Sequence, residues 1–216
     1  MDISLNEIVT IISERVGRQF DESLKEELKR VINIKRAFYF KRVLEKNPTQ
    51  RKFFFKDISV PVSLVSSIDS CISTDLNCDV LQTTMDVPRP IRGSYSLFDF
   101  VGSLDKTTPF GYATPDQLDI YKFNKYTSKS PKYFYINNKI VIFNTPKVIK
   151  HINVRGVFAD PRELVGFTCV GAGKCYTDDD PYFVDDASLD LIIRETLNMF
   201  RLNIEEQEEV EIDNTN

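Results

Sequence analysis

The chain has 216 residues, of which 42% are hydrophobic and 28% charged, and its net charge is −4. It is therefore long and apolar enough to bury a core, which excludes a disordered tail and a disulfide-stabilised miniprotein. His151 is the single histidine and only eight residues are glycine, which excludes His-rich metal sites and disfavours Gly-rich phosphate loops.

Two helices are predicted at the N-terminus. Ser4 precedes an apolar stripe with spacings of three and four residues and Gly17 follows it, which predicts a short helix over about residues 5–16. Asp21 precedes a longer region of helical spacing, which predicts a long helix over residues 22–46. Its predicted apolar stripe comprises Leu24, Leu28, Val31, Ile32, Ala37, Phe38, Val43 and Leu44.

The exposed face of the long helix is predicted to be basic and aromatic. A helix of this length extends roughly 37 Å, so it spans or projects beyond a domain of this size. Phe38, Tyr39 and Phe40 are interleaved with its bases, which predicts a partner surface. The candidate inter-subunit or DNA-facing residues are Arg30, Lys35, Arg36, Lys41, Arg42 and Lys46.

A β-rich insert is predicted over about residues 50–158. Its strongest local pattern is Asn137-Asn138 between residues 133–136 and 139–143, which predicts a hairpin with a type I′ turn.

Further strands are predicted at residues 53–55, 58–62 and 149–158. Residues 63–114 are rich in Ser, Thr, Asp and turn residues, and we expect long loops or irregular strands there. A short helix is predicted within residues 116–123.

The C-terminal part ends in a helix and an acidic tail. Asp160-Pro161 predicts a short helical turn, and a final helix is predicted over residues 187–201. Residues 203–216 are too acidic to fold alone, and we expect them to order on a partner. The sequence therefore predicts a single α+β domain over residues 1–202.

Four cysteines occur at Cys71, Cys78, Cys169 and Cys175, and their spacing is wider than that of zinc knuckles. The first residues lack the pattern of a signal peptide, and no apolar run approaches the ~20 residues of a membrane span. We therefore expect a soluble protein without a membrane partner, and we expect free thiols rather than a metal site or a disulfide.

Three features resemble catalytic or ligand-binding motifs, but each lacks the required pattern. Residues 171–174 lack the spacing of a P-loop, and the aspartates at 178–180 and 185–186 lack that of an EF-hand. His151 has no Ser or Cys in a nucleophile elbow as a partner. The sequence predicts no catalytic residue, no metal ligand and no cofactor, and therefore no enzyme.

Charge is segregated along the chain. Residues 30–56 carry a net charge of +8, residues 105–155 carry +6, and residues 156–216 carry −11. Blocks of this kind suggest contacts between oppositely charged surfaces, within one subunit or between copies.

Taken in order, these elements resemble a known family. The two N-terminal helices, the hairpin, the segment Val154–Leu164 (VRGVFADPREL), the segment Asp179–Tyr182 and the terminal helix resemble the head-to-tail connector (adaptor, or ring) proteins of short-tailed bacteriophages, especially crAss-like phages.

The resemblance implies a non-enzymatic structural protein of the virion tail or neck, assembled in the host cytoplasm. It implies a homo-oligomeric ring of roughly twelve copies, a homododecamer, between the portal and the next tail ring around the DNA channel. It also implies that the C-terminal segment docks onto the portal protein. The candidate docking residues are Leu202, Ile204, Val210 and Ile212.

The alternative is a nucleic-acid-associated or protein-binding module that uses residues 30–56. Its cations can neutralise phosphates while its aromatic rings stack on bases. The acidic net charge and the absence of a nucleic-acid-binding motif argue against this alternative.

Overall fold

The computed structural model describes residues 3–46, 54–65, 80–91, 97–114, 117, 130–145, 149–169, 173–182, 184 and 188–200. Within these residues, three helices from the two ends of the chain lie beside a nine-stranded mixed sheet. This arrangement confirms the predicted α+β fold class.

The helices are α1 (Leu5–Val16), α2 (Glu22–Lys46) and α3, whose described residues are 188–200. Ser4 and Glu7 form a capping box at the start of α1, and Gly17 ends the helix in a left-handed conformation with φ 77°. The Oδ1 atom of Asp21 accepts a hydrogen bond from the Leu24 amide, which confirms the predicted start of α2.

The three helices share one hydrophobic core. It comprises Leu5, Ile8, Val9, Ile12, Leu24, Leu28, Val31, Ile32, Tyr182, Ile192, Leu197 and Phe200.

The strands are β1 (Lys56–Val65), β2 (Val80–Thr83), β3 (Phe100–Ser103), β4 (Gly111–Tyr112), β5 (Lys132–Ile136), β6 (Lys139–Phe143), β7 (His151–Gly156), β8 (Thr168–Cys169) and β9 (Gly173–Lys174). Their order is β3-β7-β1-β2-β6-β5-β4, and β8 pairs with both β1 and β9. A 3₁₀ helix at Pro161–Leu164 has Asp160 as its N-cap, which confirms the predicted helical turn.

Strand β1 is central, although it contains a proline. One edge pairs with β7, while the other pairs with β8 at Ile58 and Ser59 and with β2 from Val62 onwards. Pro61 lies between those two stretches, where the missing amide proton leaves no ladder bond broken. The carbonyl of Pro61 still accepts a hydrogen bond from the Thr84 amide at 3.0 Å.

Residues 108–113 close the sheet into a barrel. The amide of Phe110 donates to the Val101 carbonyl on β3 at 2.7 Å, and the amide of Ala113 donates to the Tyr133 carbonyl on β5 at 2.8 Å. This extended segment, which includes β4, thus pairs with both β3 and β5 and joins the two ends of the strand order. Gly102 permits the close approach, because an added Cβ would lie 2.4 Å from the carbonyl oxygen of Thr108.

The barrel core comprises Ile58, Val60, Val62, Leu81, Val87, Phe98, Val101, Phe110, Tyr133, Ile140, Ile142, Ile152, Val154, Phe158, Leu164, Phe167, Cys175 and Tyr176.

The predicted hairpin is confirmed. Strands β5 and β6 pair in antiparallel register around Asn137 and Asn138, whose φ values of 49° and 60° are those of a type I′ turn. The strands predicted at residues 58–62 and 149–158 correspond to β1 and β7.

Two predictions for the insert need correction. Phe54 and Phe55 form no strand, because both rings pack against the end of α2 beside Phe40 and Leu44. Residues 63–114 contain strands β2, β3 and β4 rather than only loops and irregular strands. The helix predicted within 116–123 lies outside the described residues except for position 117.

The prediction of free thiols is wrong for Cys169 and Cys175, which are joined by a disulfide. Antiparallel pairing of β8 with β9 places their Cα atoms 4.9 Å apart, within the range that a disulfide spans. Cys71 and Cys78 lie outside the described residues.

Among the helices that the structure describes, none is long and apolar enough to cross a membrane.

Candidate assembly surface on the long helix

Three polar residues on the inner face of α2, each about one helical turn from the next, hold the helix against the rest of the domain. The Lys29 ammonium lies 2.9 Å from Asp178, and the Asn33 amide donates to Asp160 at 2.9 Å. The third position is Arg36, which contacts backbone carbonyls of the segment after β7. We call these three residues and their partners the clamp.

Arg36 is the buried member of the clamp, with 4% of its surface exposed. Its Nη1 atom donates to the carbonyls of Phe158 at 3.0 Å and Ala159 at 3.4 Å. The guanidinium also lies 4.4 Å from the centroid of the Phe40 ring. Burial lowers the pKa of Arg36, because the charged form loses hydration there.

Both the nitrogen and the oxygen of the Asn33 side-chain amide form hydrogen bonds. It donates to Asp160 and accepts a hydrogen bond from the Tyr182 hydroxyl at 2.6 Å. Burial raises the pKa of Tyr182, so the hydroxyl stays protonated and donates. Asp160 also accepts from the Arg162 amide, so one carboxylate both caps the 3₁₀ helix and holds α2.

The clamp gives a physical role to the two sequence segments that carry the resemblance. Phe158, Ala159 and Asp160 belong to Val154–Leu164, and Tyr182 ends Asp179–Tyr182. Both segments contact the same face of α2, so they fix the direction of the long helix relative to the barrel.

The opposite side of α2 carries an exposed apolar and basic surface. Ile34 is 60% exposed and Phe38 is 53% exposed, and they lie on one face because they are four positions apart in the helix. The guanidinium of Arg42 lies 5.1 Å from the centroid of the Phe38 ring. We call this surface the outer stripe. It comprises Arg30, Ile34, Phe38, Lys41 and Arg42.

The six basic candidates occupy three different environments. Arg30, Lys41 and Arg42 belong to the outer stripe, and Lys46 is exposed at the end of α2. Their predicted role as inter-subunit or DNA-facing residues stays a prediction.

Lys35 pairs with Glu195 of α3 at 2.8 Å, and the Tyr39 hydroxyl donates to the same carboxylate. These hydrogen bonds from Lys35 and Tyr39 lower the pKa of Glu195. Lys35 therefore joins two helices of one subunit.

Two residues predicted on the outer face are buried instead. Arg36 belongs to the clamp, and Phe40 is 1% exposed in the core between α2 and the barrel. Phe38 was predicted both in the apolar stripe and on the outer face, and its exposure agrees with the second prediction and contradicts the first. The buried face shifts because the first half of α2 packs in the helical layer and the second half packs on the barrel.

Sequence reasoning missed Ile34 and Phe20 as surface residues. Phe20 is 87% exposed in the turn before α2. The sequence does contain a signal for them, because Phe20, Glu27, Ile34 and Lys41 are spaced seven residues apart. This spacing places Ile34 on the same helical face as the charged residues Glu27 and Lys41.

The portal-docking candidates Leu202, Ile204, Val210 and Ile212 lie outside the described residues.

The aspartates at 178–180 serve local structure. Asp178 pairs with Lys29, Asp179 accepts a hydrogen bond from Asn6, and Asp180 accepts one from the Thr177 amide. In the described parts of the chain, no group of three or more His, Cys, Asp or Glu residues could hold a metal ion. His151 is an exposed residue at the start of β7.

The long helix thus packs on the barrel on one side and on the other exposes a surface that another protein can contact. The sequence model of the family "Phage tail ring protein 2" matches residues 6–216. The chain belongs to this family of crAss-like phage ring proteins, so it is a structural virion component of a ring in the phage tail. No curated protein matches the chain.

Proposed function

We propose that the protein is a subunit of the homo-oligomeric head–tail connector ring, which lies between the portal and the next tail ring and surrounds the DNA channel. The ring has roughly twelve copies, assembles in the host cytoplasm and has no enzymatic activity. The family match over residues 6–216 carries this proposal, since it covers both helical ends and the barrel.

The outer stripe supports a role in assembly. An exposed Ile34 and Phe38 on one helical face cost hydration free energy unless another protein covers them. In a ring, neighbouring copies bury this face of α2, and their packing keeps the subunits in a fixed geometry around the axis.

The acidic segment 203–216 is proposed to dock onto the portal. Leu202 just before the segment and Ile204, Val210 and Ile212 within it supply apolar anchors, and the surrounding acids make the segment dependent on a complementary surface. We further propose that residues 1–202 are one domain that folds without the acidic segment. The clamp supports this, because it joins the helical layer to the barrel.

Deleting residues 203–216 separates folding from docking. We expect the shortened protein to keep its unfolding transition and its oligomeric state but to bind the portal protein more weakly. Undiminished incorporation into virions would contradict the docking part of the proposal. Loss of folding would contradict the single-domain part.

The ring itself is tested by the mass of the native protein, measured by light scattering on the purified protein and on complexes released from particles. A large cyclic oligomer is expected. A monomer in both settings would contradict the ring and favour the alternative binding module.

A nucleic-acid-binding role for residues 30–56 has less support than the ring. Of its cations, Arg36 is buried in the clamp and Lys35 pairs with Glu195. Filter binding of the purified protein to DNA at low and moderate salt tests this role, because phosphate contacts weaken steeply with salt. Tight binding that persists at moderate salt would favour the alternative.

A further inference from the structure

We propose that the outer stripe of one subunit receives the turn end of α2 from the next subunit around the ring. The turn end comprises Phe20, Glu22 and Glu27. This contact is made between copies of the same chain, and each copy uses two different surfaces. The inference rests on the proposed ring and names the surfaces that build it.

The charge along α2 supports this pairing. Residues 22–28 hold three acids and one base, whereas residues 29–46 hold seven bases and one acid. The helix is therefore negative at its start and positive over its second half. Placing the start of one α2 against the second half of another brings opposite charges together.

The apolar side chains match the same arrangement. Phe20 is the most exposed large hydrophobic residue described, at 87%, and both Ile34 and Phe38 are more than half exposed. The Phe20 ring projects from the turn between two helices, whereas Ile34 and Phe38 form a shallow apolar patch on a helix. A projecting phenyl side chain that packs on such a patch, with charged residues around both, is a common arrangement in protein interfaces.

Ring closure requires that the two surfaces differ. A two-fold contact between two antiparallel α2 helices would also pair opposite charges, but it would stop at a dimer. A contact between the turn end of one copy and the outer stripe of the next leaves one of each surface free, so addition continues until the ring closes. The clamp makes this geometry reproducible, because it holds α2 in one direction in every copy.

Zero-length carbodiimide cross-linking of native particles tests the contact. This reagent joins carboxylates to amines that touch, and Glu27 and Lys41 lie about 21 Å apart along one rigid helix. A peptide link from Glu27 or Glu22 to Lys41 must therefore connect two subunits, and we expect to find one. The link between Lys35 and Glu195, 2.8 Å apart in one subunit, is the internal control.

Recovery of the control link without any link from Glu22 or Glu27 to Lys41 would overturn the inference. This result would leave the ring proposal standing, because subunits could then meet through other surfaces. If the complexes from particles are not cyclic, the ring proposal fails independently of the cross-links.

Mixing two variants supplies a second test that does not depend on a reagent. Phe20→Asp disrupts the turn end and Phe38→Asp disrupts the outer stripe. Both side chains are exposed, so folding should be retained. We expect each variant alone to lose the ring and an equal mixture to form dimers, through the one intact contact left between them. Leu104→Asp, at a 44% exposed position on the barrel, is the matched control and should keep the ring.

Rings formed by Phe20→Asp or by Phe38→Asp alone, as large as those of the wild type, would contradict the inference. The same holds if Leu104→Asp abolishes the ring equally, because the effect would then be a general response to an added charge.

Discussion

The guanidinium of Arg36 donates a hydrogen bond to the carbonyl oxygen of Phe158, 3.0 Å away in the buried junction between α2 and the barrel. This contact crosses from α2 to the segment after β7, beside the small core that Phe40 and Leu44 form with Ile91 and Val157. The direction of α2, and with it the position of the outer stripe, depends on this junction.

Arg36→Met should destabilise the protein by about 2–4 kcal/mol, because the buried carbonyl of Phe158 and the partly buried carbonyl of Ala159 lose a charged donor that methionine cannot replace. Urea unfolding followed by circular dichroism measures the loss. Arg30→Met on the exposed face of the same helix is the control and should change the stability by less than about 0.5 kcal/mol. Equal effects of the two substitutions would show that the clamp contributes nothing specific.

Gly102→Ala should destabilise the closed barrel by about 1–3 kcal/mol, because the new methyl group overlaps the Thr108 carbonyl and the Phe100 ring. Thermal unfolding provides the measurement. Gly166→Ala is the matched control, since its methyl group would meet only the flexible end of Met85 at 3.5 Å. A Gly102→Ala protein as stable as the control variant would argue that residues 108–113 do not close the sheet.

Asp57 should make stability depend on pH at the acid end. Burial by itself would raise the pKa of Asp57, but hydrogen bonds from Arg155 and Lys106 outweigh it and lower the pKa below its usual value. The ionised Asp57 therefore contributes fully to the stability of the folded protein above its unfolded-state pKa, near 4. This stabilisation is lost as the pH falls through the lower folded-state pKa.

Asp57→Asn should accordingly cost about 1–2 kcal/mol at about pH 7, a range reduced for the partial exposure of the pair. The cost should shrink when unfolding is measured at about pH 3. A cost that stays the same between these two pH values would mean that the charge of Asp57 does not contribute.

Reduction of the Cys169–Cys175 disulfide should lower stability by about 2 kcal/mol, the value expected for closing a short loop. Alkylation of the unfolded protein without reductant, followed by peptide mapping, should leave Cys169 and Cys175 unlabelled. Labelling of both cysteines would instead support the free thiols predicted from the sequence.

Local features of this fold could be predicted because they depend on neighbouring residues. The Ser4 cap, the Gly17 end of α1, the Asn137-Asn138 turn and the Asp160 cap each satisfy backbone groups within a few positions. Sequence spacing alone therefore determines them. The long helix was predicted for the same reason, with the bounds that the structure has.

The burial of α2 could not be predicted, because it depends on partners far away in the chain. Leu28 faces α1 and α3, whereas Phe40 faces the barrel, so no single helical stripe describes both halves. The sequence predicts Arg36 as a surface cation, because its partners, the carbonyls of Phe158 and Ala159, lie more than a hundred positions later in the chain. Barrel closure by residues 108–113 also depends on pairing outside the local sequence, with Val101 nine positions earlier and Tyr133 twenty positions later.

Reconstruction of the intact particle by electron microscopy tests the central claim most directly. We expect a closed ring of copies of this chain, roughly twelve, between the portal and the next tail ring, with α2 at the contact between neighbours. A density in which the chain occurs as single copies, or in which no copies surround the channel, would contradict it.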